Sequence, residues 1–296
     1  MRYAAIDIGS SAIRLLVKES VIKSKTDFYF KKISLTRIPI RLGKDVFSNG
    51  FISNLTIDKL TKAIKAFKLI IEINEVDFLR ACATSAIREA TNSQIICKQI
   101  LKETAINLET ISGDEEARLI FSTFHLSSLD ETLNYIFIDV GGGSTELSLI
   151  ERGFKTASKS FKVGSVRQLN VEDTENVKSK MKEWINSCVP VNQKITAIGT
   201  GGSINKLYSL GEHNLQAPLT YESLNKTLDL IRSYDYEQRI RILKLKPDRA
   251  DVIIPSGDIY KLVMECANSN NIIVPKVGLS DGMIYSLFLN KELQLL

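Results

Sequence analysis

The chain has 296 residues, 44% of them hydrophobic and 25% charged, with a formal net charge of +5. These values fit about two soluble domains and exclude disordered, collagen-like and low-complexity chains. Four scattered cysteines (Cys82, Cys97, Cys188, Cys266) without a Cys-x-x-Cys pair exclude a zinc ribbon and a disulfide framework, and the two histidines, His125 and His213, exclude a His-rich metal centre.

In chain order, residues 1–45 read as three strands. Residues 57–72 have a helical period, with Leu60, Ile64, Phe67 and Ile71 on one face. A strand follows at Val76 to Ala83, a helix at Thr91 to Glu103, a strand at Ile106 to Ile111 and a helix from about Glu115. The pattern then restarts, with strands at 135–140, 145–151 and about 155–163, a helix at about 174–188 and a strand at 194–199. Residues 219–270 read mostly helical, Asn271 to Val277 as a strand and Asp281 to Glu292 as a helix. Strand meanders followed by alternating helices and strands, found twice, define an α/β chain with two domains and a ligand cleft between them. The boundaries are set at 1–125 and 126–281, with a C-terminal helix of about 282–296 packing back on the first domain. No apolar run approaches the ~18 residues of a membrane span, and Asp7 within the first apolar stretch makes a poor signal peptide. A soluble, cytoplasmic protein is expected, with no membrane partner.

The most informative feature is an internal echo. Ile6-Asp7-Ile8-Gly9-Ser10-Ser11 returns 132 positions later as Ile138-Asp139-Val140-Gly141-Gly142-Gly143-Ser144. Each follows an apolar run and leads into an alternating stretch, which reads as strand, tight glycine turn, strand, with an Asp at the mouth. A third loop, Gly199-Thr200-Gly201-Gly202, lies between an apolar run and a helical pattern. Small residues let the backbone approach a bound group, and turn N–H groups can face phosphate oxygens. One such loop alone is an ordinary turn; the repetition favours a phosphate cradle. None of the loops matches the P-loop or dinucleotide fingerprints. The modest positive charge suits an anionic small substrate or a polyanion and does not by itself indicate nucleic acid.

At these loops the chain resembles the exopolyphosphatase / guanosine pentaphosphate phosphohydrolase family, whose two duplicated ribonuclease H-like domains belong to the actin/Hsp70/sugar kinase superfold. The resemblance spans essentially the whole chain. Its landmarks are Asp7-Ile8-Gly9-Ser10, Ala83-Thr84-Ser85-Ala86-Ile87-Arg88, Ile111-Ser112-Gly113-Asp114-Glu115-Glu116-Ala117-Arg118, Asp139 to Glu146, Gly199 to Gly202, and Leu279-Ser280-Asp281-Gly282. It implies Mg²⁺-dependent hydrolysis of terminal phosphoanhydride bonds in inorganic polyphosphate, with guanosine pentaphosphate as the alternative substrate. Ser11-Ala12 stands where relatives often carry Asn-Ser, so one side-chain amide is missing near the first loop. Longer relatives carry a C-terminal helical domain of the HD type beyond the point matching Leu296, and distributive action on short or intermediate chains is the corresponding expectation. Family analogy is compatible with a homodimer.

By the resemblance, Glu116 matches the catalytic glutamate and Arg88 an arginine that binds phosphate. Asp139 and Glu146 flank the triple-glycine loop, where hard oxygen ligands suit Mg²⁺ or Mn²⁺, and Glu146 can instead position the water. Asp7 is the symmetric third metal candidate. The bland reading of each Asp is a side chain capping its own turn; that of Arg88 is a surface salt bridge. Gly9, Ser10, Ser11, Arg41 (placed on the third strand), Gly141, Gly142, Gly143, Ser144, Gly199, Thr200, Gly201 and Gly202 form the expected phosphate contacts. Lys23, Lys25, Lys31, Lys32, Arg37 and Lys44 make the first hairpins basic, either a guide for a polyanion or a solvated face. Cys82 and Arg88 also fit the Cys-x5-Arg spacing of cysteine-dependent phosphatases, but the intervening loop lacks glycine and the Cys ends an apolar strand. Two other classes compete: a sugar or carboxylate kinase on the same superfold, and a non-catalytic sensor of polyphosphate or guanosine tetraphosphate. Retention of Glu116, Asp139 and Glu146 argues against the sensor.

Overall fold

The computed structural model describes residues 1–24, 27–123, 129–167, 170–189, 193–211 and 217–291. Lys25, both histidines and residues 292–296 lie outside that set. The chain divides into two compact units, Met1–Leu126 with Gly278–Leu296, and Ser127–Val277.

The first unit opens with β1 (Arg2–Ile8), β2 (Ile13–Ile22) and β3 (Phe28–Ile38), followed by α1 (Leu42–Asn49) and α2 (Asn54–Ile73). Then come β4 (Phe78–Ala83), α3 (Ser85–Glu89), α4 (Ser93–Thr104), β5 (Glu109–Thr110) and α5 (Gly113–Ser122). The second unit holds β6 (Asn134–Val140), β7 (Thr145–Glu151), β8 (Phe154–Phe161), α6 (Val171–Cys188), β9 (Ile195–Thr200) and α7 (Gly202–Leu210). It continues through β10 (Leu219–Thr220), α8 (Tyr221–Arg232), α9 (Tyr236–Arg241), α10 (Pro247–Ala250), α11 (Ile253–Cys266) and β11 (Asn271–Ile273). The last helix, α12 (Leu279–Lys291), belongs to the first unit.

The first sheet has the order β3-β2-β1-β4-β5. Strand β1 lies at its centre and is buried on both faces, mostly by apolar side chains with Asp7 as the charged exception. It pairs antiparallel with β2 and parallel with β4, the parallel return being made by α2. Ile6, Ile8, Leu15, Leu60, Ile64 and Phe67 are among the side chains of one core. Against α12, Tyr3, Phe28 and Phe30 surround Phe288. Helix α12 meets α5 so closely that a Cβ on Gly282 would stand 1.9 Å from the Leu119 carbonyl oxygen. Asp281 accepts from the Gly278 N–H at 3.0 Å and pairs with Lys18 at 2.5 Å. The Leu-Ser-Asp-Gly landmark is therefore a helix-docking motif.

The second sheet, β10-β11-β9-β6-β7-β8, repeats the plan: an antiparallel meander with its first strand, β6, paired parallel to the fourth, β9. Its core gathers Ile136, Ile138, Leu147, Met181, Ile204, Leu228 and Tyr260.

Four local expectations are corrected. Strand β3 ends at Ile38, just before Pro39, which has no N–H for a ladder; Arg41 is not on that strand but is the N-cap residue of α1, a helix closed by Gly50 at φ 79°. Residues 85–89 form a short helix rather than a loop. Of residues 106–111 only Glu109 and Thr110 pair with β4, while Ile106, Leu108 and Ile111 fill the core from irregular backbone. Of residues 271–277 only the first three are strand.

Candidate functional site

The two echoing loops are the same turn. The Gly9 N–H donates to the Ala12 carbonyl at 3.1 Å, and the Gly141 N–H to the Ser144 carbonyl at 2.9 Å. Counting back from each turn fixes the cross-strand partners: Asp7 faces Arg14, and Asp139 faces Glu146. In the first unit the outcome is an ion pair, with Arg14 Nη1 2.6 Å from Asp7 Oδ2 and Asp7 buried. In the second unit two carboxylates stand opposite one another, a placement that repels unless a cation or donors compensate. Thr200 Oγ1 donates to Asp139 Oδ1 at 2.7 Å, and Ser160 Oγ donates to Glu146 Oε1 at 2.9 Å. Glu146 is only 3% exposed.

The triple-glycine loop is held from its carbonyl side. Ser165 N–H donates to the Gly141 carbonyl, Val166 and Arg167 N–H donate to that of Gly142, and Arg167 Nε donates to that of Gly143 at 2.6 Å. A Cβ on Gly164 would fall 2.6 Å from the Gly142 carbonyl carbon, so that approach requires glycine. Among the described residues, the Gly142 and Gly143 N–H groups donate to no protein acceptor. Adjacent amides of this kind suit an anion. The buried Ser144 supplies backbone to the turn.

At the third loop, Gly201 has φ 100°, a conformation that L side chains rarely adopt, and a Cβ there would lie 3.2 Å from Asp139 Oδ1. The amino end of α7 thus opens beside Asp139, with its first amides unused by the helix. Arg249, which sequence reading passed over, brings its guanidinium to Gly202: a Cβ there would lie 2.1 Å from Nη2. Tyr260 was also passed over. Its phenol donates to the Thr200 carbonyl and accepts the Val140 N–H at 3.4 Å. Burial first, and the Asp139 charge second, hold that phenol well above its usual range, so it stays protonated.

In the first unit, Ser112 caps α5 by accepting the Glu115 N–H at 3.1 Å, and Glu116 follows on the buried side, 7% exposed. Arg88 Nη1 donates to the Ile111 carbonyl at 2.7 Å and lies 3.7 Å from Glu116 Oε2. Arg88 is therefore only partly exposed and faces the glutamate, unlike a solvated surface pair. Glu115 turns outward to Arg118 and Arg80, and the hydrogen bond from Arg118 is the main reason its carboxyl falls below the usual range.

Several expected contacts change. Gly199 lies within β9, where a Cβ would strike Ile272 at 2.6 Å and Ile204 at 3.0 Å, so it is a packing glycine and not a phosphate contact. The Ser10 hydroxyl is buried against Ser85 Oγ at 2.8 Å, and its carbonyl accepts the Gly43 N–H, so only its backbone amide can face a ligand. Gly9 and Ser11 remain partly exposed at the first turn. Asp7 is neutralised by Arg14, which removes the reason to count it as a metal ligand. Cys82 is fully buried and its thiol is pushed up to about 12, chiefly by burial, the opposite of what a thiolate nucleophile needs.

Two sheets of matching topology, each with a glycine turn between its first two strands, define an α/β protein of the two-domain actin-like class. The model of the Ppx/GppA phosphatase family matches residues 21–291, and the chain belongs to that family. It is 31% identical over 299 residues to the bifunctional 3-dehydroquinate synthase/phosphatase of Fusobacterium nucleatum, covering 92% of this chain and 44% of that protein. It is 33% identical over 304 residues to exopolyphosphatase 1 of Mycobacterium leprae, covering 96% and 88%. The chain spans about half the length of several curated relatives it matches, 44% of the Fusobacterium protein and 60% of an Aeromonas salmonicida relative, and its match to exopolyphosphatase 1 of Mycobacterium tuberculosis takes in 50% of this chain. Among solved structures, an exopolyphosphatase from Cytophaga hutchinsonii superposes with a TM-score of 0.86 at 22% identity, covering 99% of each chain, which speaks for the fold. The Aquifex aeolicus Ppx/GppA family member gives 0.77 at 25% identity, again over 99% of each. No helix among the described residues is long and apolar enough to cross a membrane.

Proposed function

We propose that this chain hydrolyses terminal phosphoanhydride bonds and releases orthophosphate from inorganic polyphosphate. The observation that carries the proposal is the Asp139–Glu146 carboxylate pair at the mouth of a glycine loop whose amides are left to an anion, in a member of the Ppx/GppA phosphatase family. In this reading Gly141, Gly142, Gly143 and Ser144 cradle phosphate oxygens, together with the amides of Gly201 and Gly202 at the start of α7; the backbone of Gly9, Ser10 and Ser11 is kept as a candidate phosphate contact of the first unit. Asp139, oriented by Thr200, and Glu146 hold Mg²⁺ or Mn²⁺; hard carboxylate oxygens beside a phosphate site fit either ion. When bound, the ion neutralises charge building on the transferred phosphoryl group.

Glu116 orients the attacking water and accepts its proton, while Arg88, 3.7 Å from its carboxylate, offers its remaining N–H groups to a phosphate oxygen. The water oxygen bonds to the terminal phosphorus, the bridging P–O bond breaks, and the chain leaves one phosphate shorter. Glu146 is the alternative to Glu116 as the group that positions the water. Arg41, at the start of α1, is kept as a candidate phosphate contact. A homodimer belongs to the same reading by family analogy, and a cytoplasmic location is proposed with it.

A second substrate has specific support. A guanosine-5'-triphosphate,3'-diphosphate pyrophosphatase of Aeromonas salmonicida is 24% identical over 304 residues, 98% of this chain. Guanosine pentaphosphate presents the same terminal anhydride. Polyphosphate is preferred because the exopolyphosphatase relative is more similar over a comparable span. Phosphate release from polyphosphate, guanosine pentaphosphate and ATP, assayed side by side, tests the proposal. Polyphosphate should be the fastest, and Glu116→Gln should lower turnover roughly 10²–10⁴-fold, the scale of lost general-base catalysis. Activity of the variant within threefold of the parent would transfer the base role to Glu146.

A further inference from the structure

Helix α11 carries two buried polar side chains one turn apart, and both reach the third glycine loop. Ser256 Oγ donates to Ser203 Oγ at 2.9 Å, in the first turn of α7. One turn on, the Tyr260 hydroxyl donates to the Thr200 carbonyl and accepts the Val140 N–H. Val140 and Thr200 end the adjacent parallel strands β6 and β9, where Asp139 and Thr200 are register partners. The Thr200 side chain then donates to Asp139 Oδ1 at 2.7 Å. Gly201 lies beside both groups: a Cβ there would be 3.2 Å from Asp139 Oδ1 and 3.7 Å from Tyr260 Oη. A single phenol thus ties two strand ends together at the point where one offers a carboxylate and the other the hydroxyl that orients it.

We infer that Tyr260 is a positioning residue for Asp139, acting through the Thr200 backbone to fix the hydroxyl that aims the carboxylate at its cation. Nothing in core packing requires the oxygen, because phenylalanine would fill the same ring volume. The oxygen sits in a fully buried place where each hydrogen bond must be matched by geometry, so its cost is offset only if both bonds persist. The effect is selective: losing the hydroxyl frees the Thr200 carbonyl and the Val140 amide, and the Thr200 rotamer loses its fixed base.

The inference rests on the metal reading of Asp139, and the test separates the two. Mn²⁺ binding to the 296-residue chain is followed by the electron paramagnetic resonance signal of free Mn²⁺, with thermal melting in parallel. Tyr260→Phe should melt cooperatively yet bind Mn²⁺ about 10–100-fold more weakly, the range for loss of a group that orients a metal ligand. Thr200→Val should weaken binding similarly, Thr200→Ser should restore it, and the double variant Tyr260→Phe with Thr200→Val should add little to the larger single effect. If Tyr260→Phe fails to fold, the Val and Ser pair at Thr200 reads the same chain of bonds. Parent-like Mn²⁺ affinity in Tyr260→Phe, with affinity lost in Asp139→Asn, would overturn the positioning role and leave the metal site intact. Equal affinity in the parent and in Asp139→Asn would overturn both.

Discussion

The β1–β2 and β6–β7 hairpins share a turn, a register and an aspartate, and they differ at the position across from that aspartate. Arg14 in the first, itself partly exposed, makes an ion pair with the buried Asp7; Glu146 in the second doubles the negative charge beside Asp139. One side chain in a fixed register therefore separates a structural hairpin from one suited to a cation. The surroundings agree. The first loop is locked by side chains, with Ser10 on Ser85 and its carbonyl on Gly43, whereas the second is held by its carbonyls, leaving the Gly142 and Gly143 amides for a ligand.

The largest expected effect tests the chemical half of that contrast. Glu146→Gln keeps the shape and a partner for Ser160 but removes one charge. Turnover in a phosphate-release assay should fall at least roughly 10²-fold, and the Mg²⁺ concentration for half-activity should rise. Unchanged turnover and metal requirement would dissolve the distinction between the hairpins. The structural half is tested by Arg14→Gln, which leaves Asp7 buried beside a neutral partner. Denaturant unfolding should show a loss of roughly 1–2 kcal/mol, between the scales of an exposed and a fully buried pair, partly recovered by adding Asp7→Asn, while the metal requirement stays that of the parent. An altered metal requirement with little loss of stability would return Asp7 to the ligand set.

A smaller effect concerns the helix that presents Glu116. Glu115 has its folded pKa lowered below the ordinary 4.5, chiefly by Arg118. Its contribution is therefore present above the unfolded value and lost as pH falls through the folded one. Glu115→Gln should cost about 1 kcal/mol at pH 7 and nothing once the pH is well below 4, as measured by melting across that window. A constant difference at all pH values would show that packing, not charge, holds Glu115. The smallest effect is expected for Cys82→Ser: turnover within about twofold, because the buried thiol stays protonated. Near-total loss would revive a thiolate nucleophile and move the chemistry into the first unit.

Much of this was legible in the chain. Glycine and serine between alternating apolar stretches specify a tight turn because only small residues and short loops close such a hairpin, so both loops and their aspartates could be located by eye. Ser112 before Gly113 announced the start of α5, because a serine side chain satisfies the first free amides of a helix. Even the Asp7–Arg14 pair follows from counting outward from the turn, since the hairpin register sets Asp7 across from Arg14. Helix α1 was hidden by its length, eight residues following a proline that already ended the strand.

The duplication, the hairpins and the identity of the carboxylates could be read from the chain, because they are set by local turn chemistry and periodicity. Which of those groups are available depends on how the elements pack. Gly199 became a packing residue because Ile272, seventy-odd positions away, lies against it in the next strand. Gly282 meets Leu119 across two helices, and Tyr260 reaches Thr200 from α11. Each is a contact between elements distant in the chain, where burial and close approach depend on how sheets and helices stack, and no local pattern records that.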